Sequence, residues 1–180
     1  MGIESVSKIE KLNTMFGLQS KLNNETVGQN WASGVTKDGK AINWKRCIYI
    51  GVAGLIGGFP VWKHWDDTNT ATDIDDAKNR LVSIWHVLLS EMIQRSLDRV
   101  AENVYKSIIS AAYAENKKTD DIFMIIRSAE KIINEATKTN SSTNSMLLSF
   151  FVTCALVGLS FDELSTKYIE KNTVSLLSAA

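Results

Sequence analysis

The segment Ala77–Leu89, AKNRLVSIWHVLL, decides the fold. Its large apolar residues, Leu81, Ile84, Trp85, Leu88 and Leu89, recur three and four apart, which puts them on one side of a helix; a strand would alternate them. The spacing predicts a long helix from about Ala77. The stripe resumes at Val100, Val104, Ile108 and Ala111, as a continuation or a bend.

Working outward, the chain is poor in helix breakers. Pro60 is its one proline, and its glycines cluster in two places. Upstream, Ile9, Leu12, Met15, Phe16, Leu18 and Leu22 predict a helix over 5–22, and the polar stretch 23–40 reads as a long loop. A helix from about Ala41 runs to Gly57 or Gly58, where Phe59-Pro60 stops it. The aspartates of 66–76 read as a solvated loop. Downstream, Thr119-Asp120-Asp121 caps a helix to about Ala136, with acids at its positive end. The run 137–145, TKTNSSTNS, is an inter-helix linker, and 146–159 and 161–177 complete the set. No strand alternation and no repeat is visible. The expected architecture is an all-α bundle of about six or seven helices, one domain over 1–180.

Composition narrows the function. The 180 residues carry 20 basic and 20 acidic side chains, so no global field gathers a nucleic-acid polymer. Cys47 and Cys154 sit in apolar runs without metal-ligand spacing and read as buried thiols of a reducing compartment. The start, Met1-Gly2-Ile3-Glu4, lacks the pattern of a signal peptide, and a cytoplasmic setting is expected. The charge-free run 47–62 is shorter than the ~20 residues that span a bilayer, and 140–161 opens with six Asn, Ser or Thr residues. No membrane partner is expected.

Read without further help, the residues show no nucleophile–base pair. His64 and His86 lack metal-ligand spacing. Gly51, Gly54, Gly57 and Gly58 interrupt a helical segment at a cost of roughly 3–4 kcal/mol, at ~1 kcal/mol each relative to Ala. They lack the lysine ending of a phosphate loop. Either a close backbone approach needs them or selection there has relaxed. Gln19 and Asn23, four apart on one helical face, offer amides to a base edge. Their alternative is a hydrogen-bonded place in the core. Packing between helices is likewise the plain alternative for the tryptophans, and a core hydrogen bond for His86.

Several words of sequence fall in order along the chain: Leu18–Asn23, Asn30-Trp31, Asn43–Tyr49, Leu55-Ile56, Trp62–Trp65 and Leu81–His86. Together they resemble the dimeric all-α dUTPases, a branch of the all-α NTP pyrophosphatases. The likeness is strongest to epsilonproteobacterial and phage-type members and covers 18–86 best. Leu164-Ser165, Tyr168-Ile169 and Lys171-Asn172 resemble that family's late helix more loosely.

The resemblance implies hydrolysis of dUTP or dUDP to dUMP, with Mg²⁺ ions held by an ExxE and an ExxD pair on two facing helices. A three-residue spacing puts both carboxylates of each pair on one helix face. Here the ExxE positions are Gly51 and Gly54, and the ExxD positions are Arg80 and Ser83. Ser175, Leu177 and Ser178 stand where an Asn and a Phe-Arg pair are expected, and Val87 replaces a Phe. The nucleotide-side positions that remain are Gln19, Asn23, Trp44, Trp62, Lys63, Trp65, His86 and Lys171.

Arg80 in place of a metal ligand suits direct contact with a phosphate, with Ser83 as a hydroxyl donor. The expectation is a non-hydrolysing homodimer that binds or sequesters a nucleotide, or a nucleotide-derived signal, without a cofactor. Two alternatives stand beside it. One is a dimeric interaction or regulatory protein with a vestigial pocket; the other is a dUTP/dUDP diphosphatase with displaced ligands, which alone needs Mg²⁺. The even charge balance then reflects, in part, carboxylates absent from one site.

Overall fold

The computed structural model describes residues 3–62, 73–140 and 142–179. Its helices are α1 (Ile3–Thr26), α2 (Trp44–Gly57), α3 (Ile74–Gln94), α4 (Ala101–Val104), α5 (Ser110–Glu115), α6 (Ile122–Thr137), α7 (Thr143–Val157) and α8 (Phe161–Ala179). A π-helical turn, Tyr105–Ile109, joins α4 to α5 without a break. Counting that rod once, the described residues form seven helical rods, an all-α bundle. No strand occurs among them; the nearest approach is a single bridge, Val35–Ala41.

Side-chain caps set the starts. Asn43 Oδ1 accepts from Arg46 N at 2.9 Å, Asp73 Oδ1 from Asp76 N at 2.9 Å, and Asp121 Oδ1 from Met124 N at 3.2 Å. With Asp73 as the cap, Asp75 and Asp76 enter the first turn of α3, where acids favour the helix dipole. They are therefore helical and not part of the loop that composition suggests. For the same reason α2 begins at Trp44, three residues after Ala41. Helix α1 outruns its expected end by four residues, to Thr26. Gly158, at φ 79°, ends α7, and the backbone closes behind it through Leu159 N to Cys154 O at 2.8 Å. Helix α3 does not run into α4: Ser96 turns left-handed, at φ 58°, and the chain bends there.

Trp85 sits at the centre with no exposed surface. Its ring stacks on Phe150 (centroids 5.5 Å apart, planes at 13°) and meets Phe151 edge-on at 5.2 Å. Its Nε1 donates to the Met15 sulfur at 3.2 Å. One residue thus ties α3 to α7 and α1. Truncating it to Ala removes a fully buried indole, a loss of about 3–5 kcal/mol. Around it, one apolar cluster draws residues from α1 to α8, including Leu12, Ile48, Leu88, Ile125 and Leu164.

Among the described residues no single helix is long and apolar enough to cross a membrane. The apolar pair α7–α8 is bent by 100° between its two halves, and nine residues of α7 are buried.

Candidate functional site

Helices α2 and α3 pack so that one stripe of each faces a common cleft of about 670 Å³. From α2 come Cys47, Ile50, Gly51 and Gly54, spaced along one face. From α3 come Asp76, Arg80, Ser83 and Val87, and α8 adds Lys171 across the mouth. Arg80 Nε donates to Asp76 Oδ2 at 2.6 Å, and its Nη1 reaches the Gly54 carbonyl at 3.4 Å. Lys171 Nζ donates to Ser83 Oγ at 3.2 Å, while the Ser83 hydroxyl donates to the Asn79 carbonyl at 3.2 Å. Two cations and a hydroxyl therefore line one cleft, Arg80 held toward Asp76 and Gly54 and Lys171 against Ser83.

The glycines explain how the helices come this close. A Cβ on Gly51 would stand 3.1 Å from Ile84 Cγ1, tighter than ordinary contact. One on Gly54 would lie 3.7 Å from Arg80 Nη1, which is ordinary contact. Gly51 thus supports the approach of α2 to α3, whereas Gly54 leaves the carbonyl face open to the guanidinium.

Behind the cleft lies a buried polar network that joins α1, α3 and α8. Tyr168 OH donates to Gln19 Oε1 at 2.7 Å, and Gln19 Nε2 contacts Asn23 Oδ1 at 2.9 Å and His86 Nε2 at 3.1 Å. Asn23 Nδ2 donates to Ser90 Oγ at 2.9 Å, and the Ser90 hydroxyl donates to the His86 carbonyl at 3.2 Å. Asn172 Nδ2 donates to the Tyr168 carbonyl at 2.7 Å, and its side chain lies beside His86. The network assigns the His86 tautomer: Nε2 accepts from Gln19 and Nδ1 carries the hydrogen. Burial pulls the His86 pKa below its usual value; the Asn172 bond raises it, and the Lys171 charge lowers it further. Burial also raises the Tyr168 hydroxyl well above the ordinary phenol range.

Of the residues singled out from sequence, the cleft gathers Gly51, Gly54, Arg80, Ser83 and Lys171. His86 and Asn172 line a smaller hollow of about 270 Å³ that shares Ser83 and Lys171 with it. Gln19 and Asn23 lie below the surface, 0% and 1% exposed, in the network. Trp44 does not reach the cleft. It packs edge-to-face against Trp31 at 6.3 Å and borders a separate cavity with Glu91 and Arg95. Trp62 closes a short 3₁₀ turn, Pro60–Trp62; Lys63 and Trp65 lie outside the described residues. Cys47, read as buried, is exposed on the cleft face of α2, while Cys154 is buried. Composition alone cannot tell the two faces of an apolar helix apart.

The sequence reading gives no site role to Tyr168, Asn172 or Ser90, and it places Asp76 in a solvated loop. Each stands four residues from a partner on its own helix: Tyr168 with Asn172, His86 with Ser90, and Asp76 with Arg80. That spacing was the available signal.

The donor set does not fit the magnesium ions that the resemblance implies. A hard divalent cation wants several anionic or neutral oxygens. Among the described residues the one carboxylate lining the cleft, Asp76, pairs with Arg80, and Lys171 adds a second positive charge. Among the described residues no three His, Cys, Asp or Glu side chains gather as a metal site.

A family model described as dUTPase matches residues 11–177, nearly the whole bundle. No curated protein matches the chain. With that match laid over an all-helical fold, the chain belongs to the all-α dUTPase family.

Proposed function

We propose that this member of the dUTPase family binds a nucleotide, or a nucleotide-derived phosphate signal, without metal and without hydrolysing it. The observation that carries the reading is the convergence of Arg80, Lys171 and Ser83 on one open cleft. Arg80 offers a planar fork suited to phosphate oxygens, and Lys171 adds a point charge on the same cleft. Asp76 holds the Arg80 guanidinium by Nε and leaves its outer edge available. A phosphate that enters exchanges the weak 3.4 Å contact with the Gly54 carbonyl for charge-assisted hydrogen bonds. With glycines at 51 and 54 and with Arg80 and Ser83 opposite, the chain is a degenerate member that lacks the family's metal carboxylates. Its homodimer and its cytoplasmic setting belong to the same proposal.

Calorimetry in EDTA with dUMP, dUTP and cyclic nucleotides tests it. Binding is expected, and Arg80→Ala weakens it roughly tenfold or more, the worth of a hydrogen bond to a charged group. Absence of heat across the panel sinks the reading and leaves the interaction-protein alternative. Release of pyrophosphate from dUTP with Mg²⁺ or Mn²⁺ would instead establish a diphosphatase.

A further inference from the structure

The inference concerns what the cleft reads in its ligand, and it rests on the phosphate-binding reading above. The amides of Gln19 and Asn23 have their strong partners inside the protein. Gln19 accepts from Tyr168 and spends its amide hydrogens on Asn23 and His86; Asn23 accepts from Gln19 and donates to Ser90. A base edge would have to displace one of those partners and leave a buried polar atom unmet. The open surface offers something different. Beside the two cations, the cleft wall presents Ile50, Gly51 and Val87, apolar or without a side chain, over the buried Ile84, and Ile50 is 59% exposed.

We infer that the site takes phosphomonoesters bearing a flat apolar group and does not read a pyrimidine edge. Arg80 and Lys171 hold the anion, and the Ile50–Val87 wall takes the ring face. Selectivity among bases is then weak, because stacking on an aliphatic wall barely distinguishes one ring from another. A site that hydrogen-bonds a base would reject the wrong one by orders of magnitude.

Calorimetry in EDTA with dUMP, dTMP, dCMP, phenyl phosphate and inorganic phosphate tests this. The three nucleotides and phenyl phosphate should bind within about fivefold of one another. Inorganic phosphate, without a ring to bury, should bind roughly ten- to a hundredfold more weakly. Ile50→Ser, at an exposed position, should weaken phenyl phosphate several-fold and leave inorganic phosphate unchanged. A preference for dUMP above roughly tenfold overturns the inference while the phosphate-binding reading stands. Equal affinity for phenyl phosphate and inorganic phosphate also overturns it. Binding of none of the five overturns both.

Discussion

The Tyr168 hydroxyl donates to Gln19 Oε1 at 2.7 Å, between residues 149 positions apart, and both side chains are fully buried. This bond fastens α8 to α1 at the heart of the polar network. Tyr168→Phe keeps the ring and removes only the donor. Gln19 Oε1 is then left buried without that partner, a loss of about 1–3 kcal/mol. Urea unfolding should show the midpoint falling at unchanged m-value, and melting should fall by several degrees for a chain of this size. Unchanged stability would mean that water or a shifted Asn172 replaces the hydroxyl.

The same network makes stability depend on pH through His86. Its folded pKa lies below the ordinary imidazole value of 6.5, chiefly through burial, so folding favours the neutral ring. Among the facing groups, Asn172 favours the proton, but Lys171 is positive and Gln19 presents its amide nitrogen to Nε2 at 3.1 Å, and burial outweighs the help from Asn172. The unfolded chain binds the proton first as pH falls. The contribution is therefore fully present above about pH 6.5 and is lost as pH falls through the folded value. Melting curves from neutral pH down to mildly acid pH should show this loss, and His86→Gln, which does not titrate there, should flatten it. Equal slopes for the two proteins would assign the acid sensitivity to other groups.

How much of this was legible in the sequence follows from the kind of signal involved. Helix α3 was readable because one face of Ala77–Leu89 is apolar and the other is not. The start of α6 was readable because a cap is a local event, complete within three residues of Asp121. The break at Ser96 was not, because its left-handed backbone is carried by a serine and not by the glycine that would announce it. The cleft was half legible. The resemblance aligned Gly51, Gly54, Arg80 and Ser83, and the structure places the four on one cleft. The saturation of Gln19 and Asn23 was invisible, since it depends on Tyr168 arriving from the far end of the chain.

The glycines of α2 separate a packing role from a permissive one. Gly54→Ala adds a Cβ 3.7 Å from a flexible guanidinium, so the helix gains and nothing must move. A gain of about 0.5–1 kcal/mol is expected by urea unfolding. Gly51→Ala pushes its Cβ to 3.1 Å from the buried Ile84 side chain. Much of the same helical gain should there be offset by repacking, and the variant should fall clearly short of Gly54→Ala. Equal gains would show that α2 and α3 can part without penalty.

Placing carboxylates at the four aligned positions tests whether the cleft stands where the family's metal site would be. Gly51→Glu, Gly54→Glu, Arg80→Glu and Ser83→Asp combined put four acids on two facing helices. Without metal, their mutual repulsion should make this variant less stable than the parent. With Mg²⁺ or Mn²⁺ it should recover, because a cation that binds only the folded state stabilises by about 2.7 kcal/mol at a hundredfold excess over its Kd. Melting temperature against metal concentration is the readout. The parent should not respond, since among the described residues its cleft offers Asp76 alone and that carboxylate is held by Arg80 at 2.6 Å. A metal-dependent rise in the variant only would assign these four positions as the former ligands. A folded variant that ignores both metals would remove that assignment, and the phosphate cleft would then stand on Arg80, Ser83 and Lys171 without the family's alignment behind it.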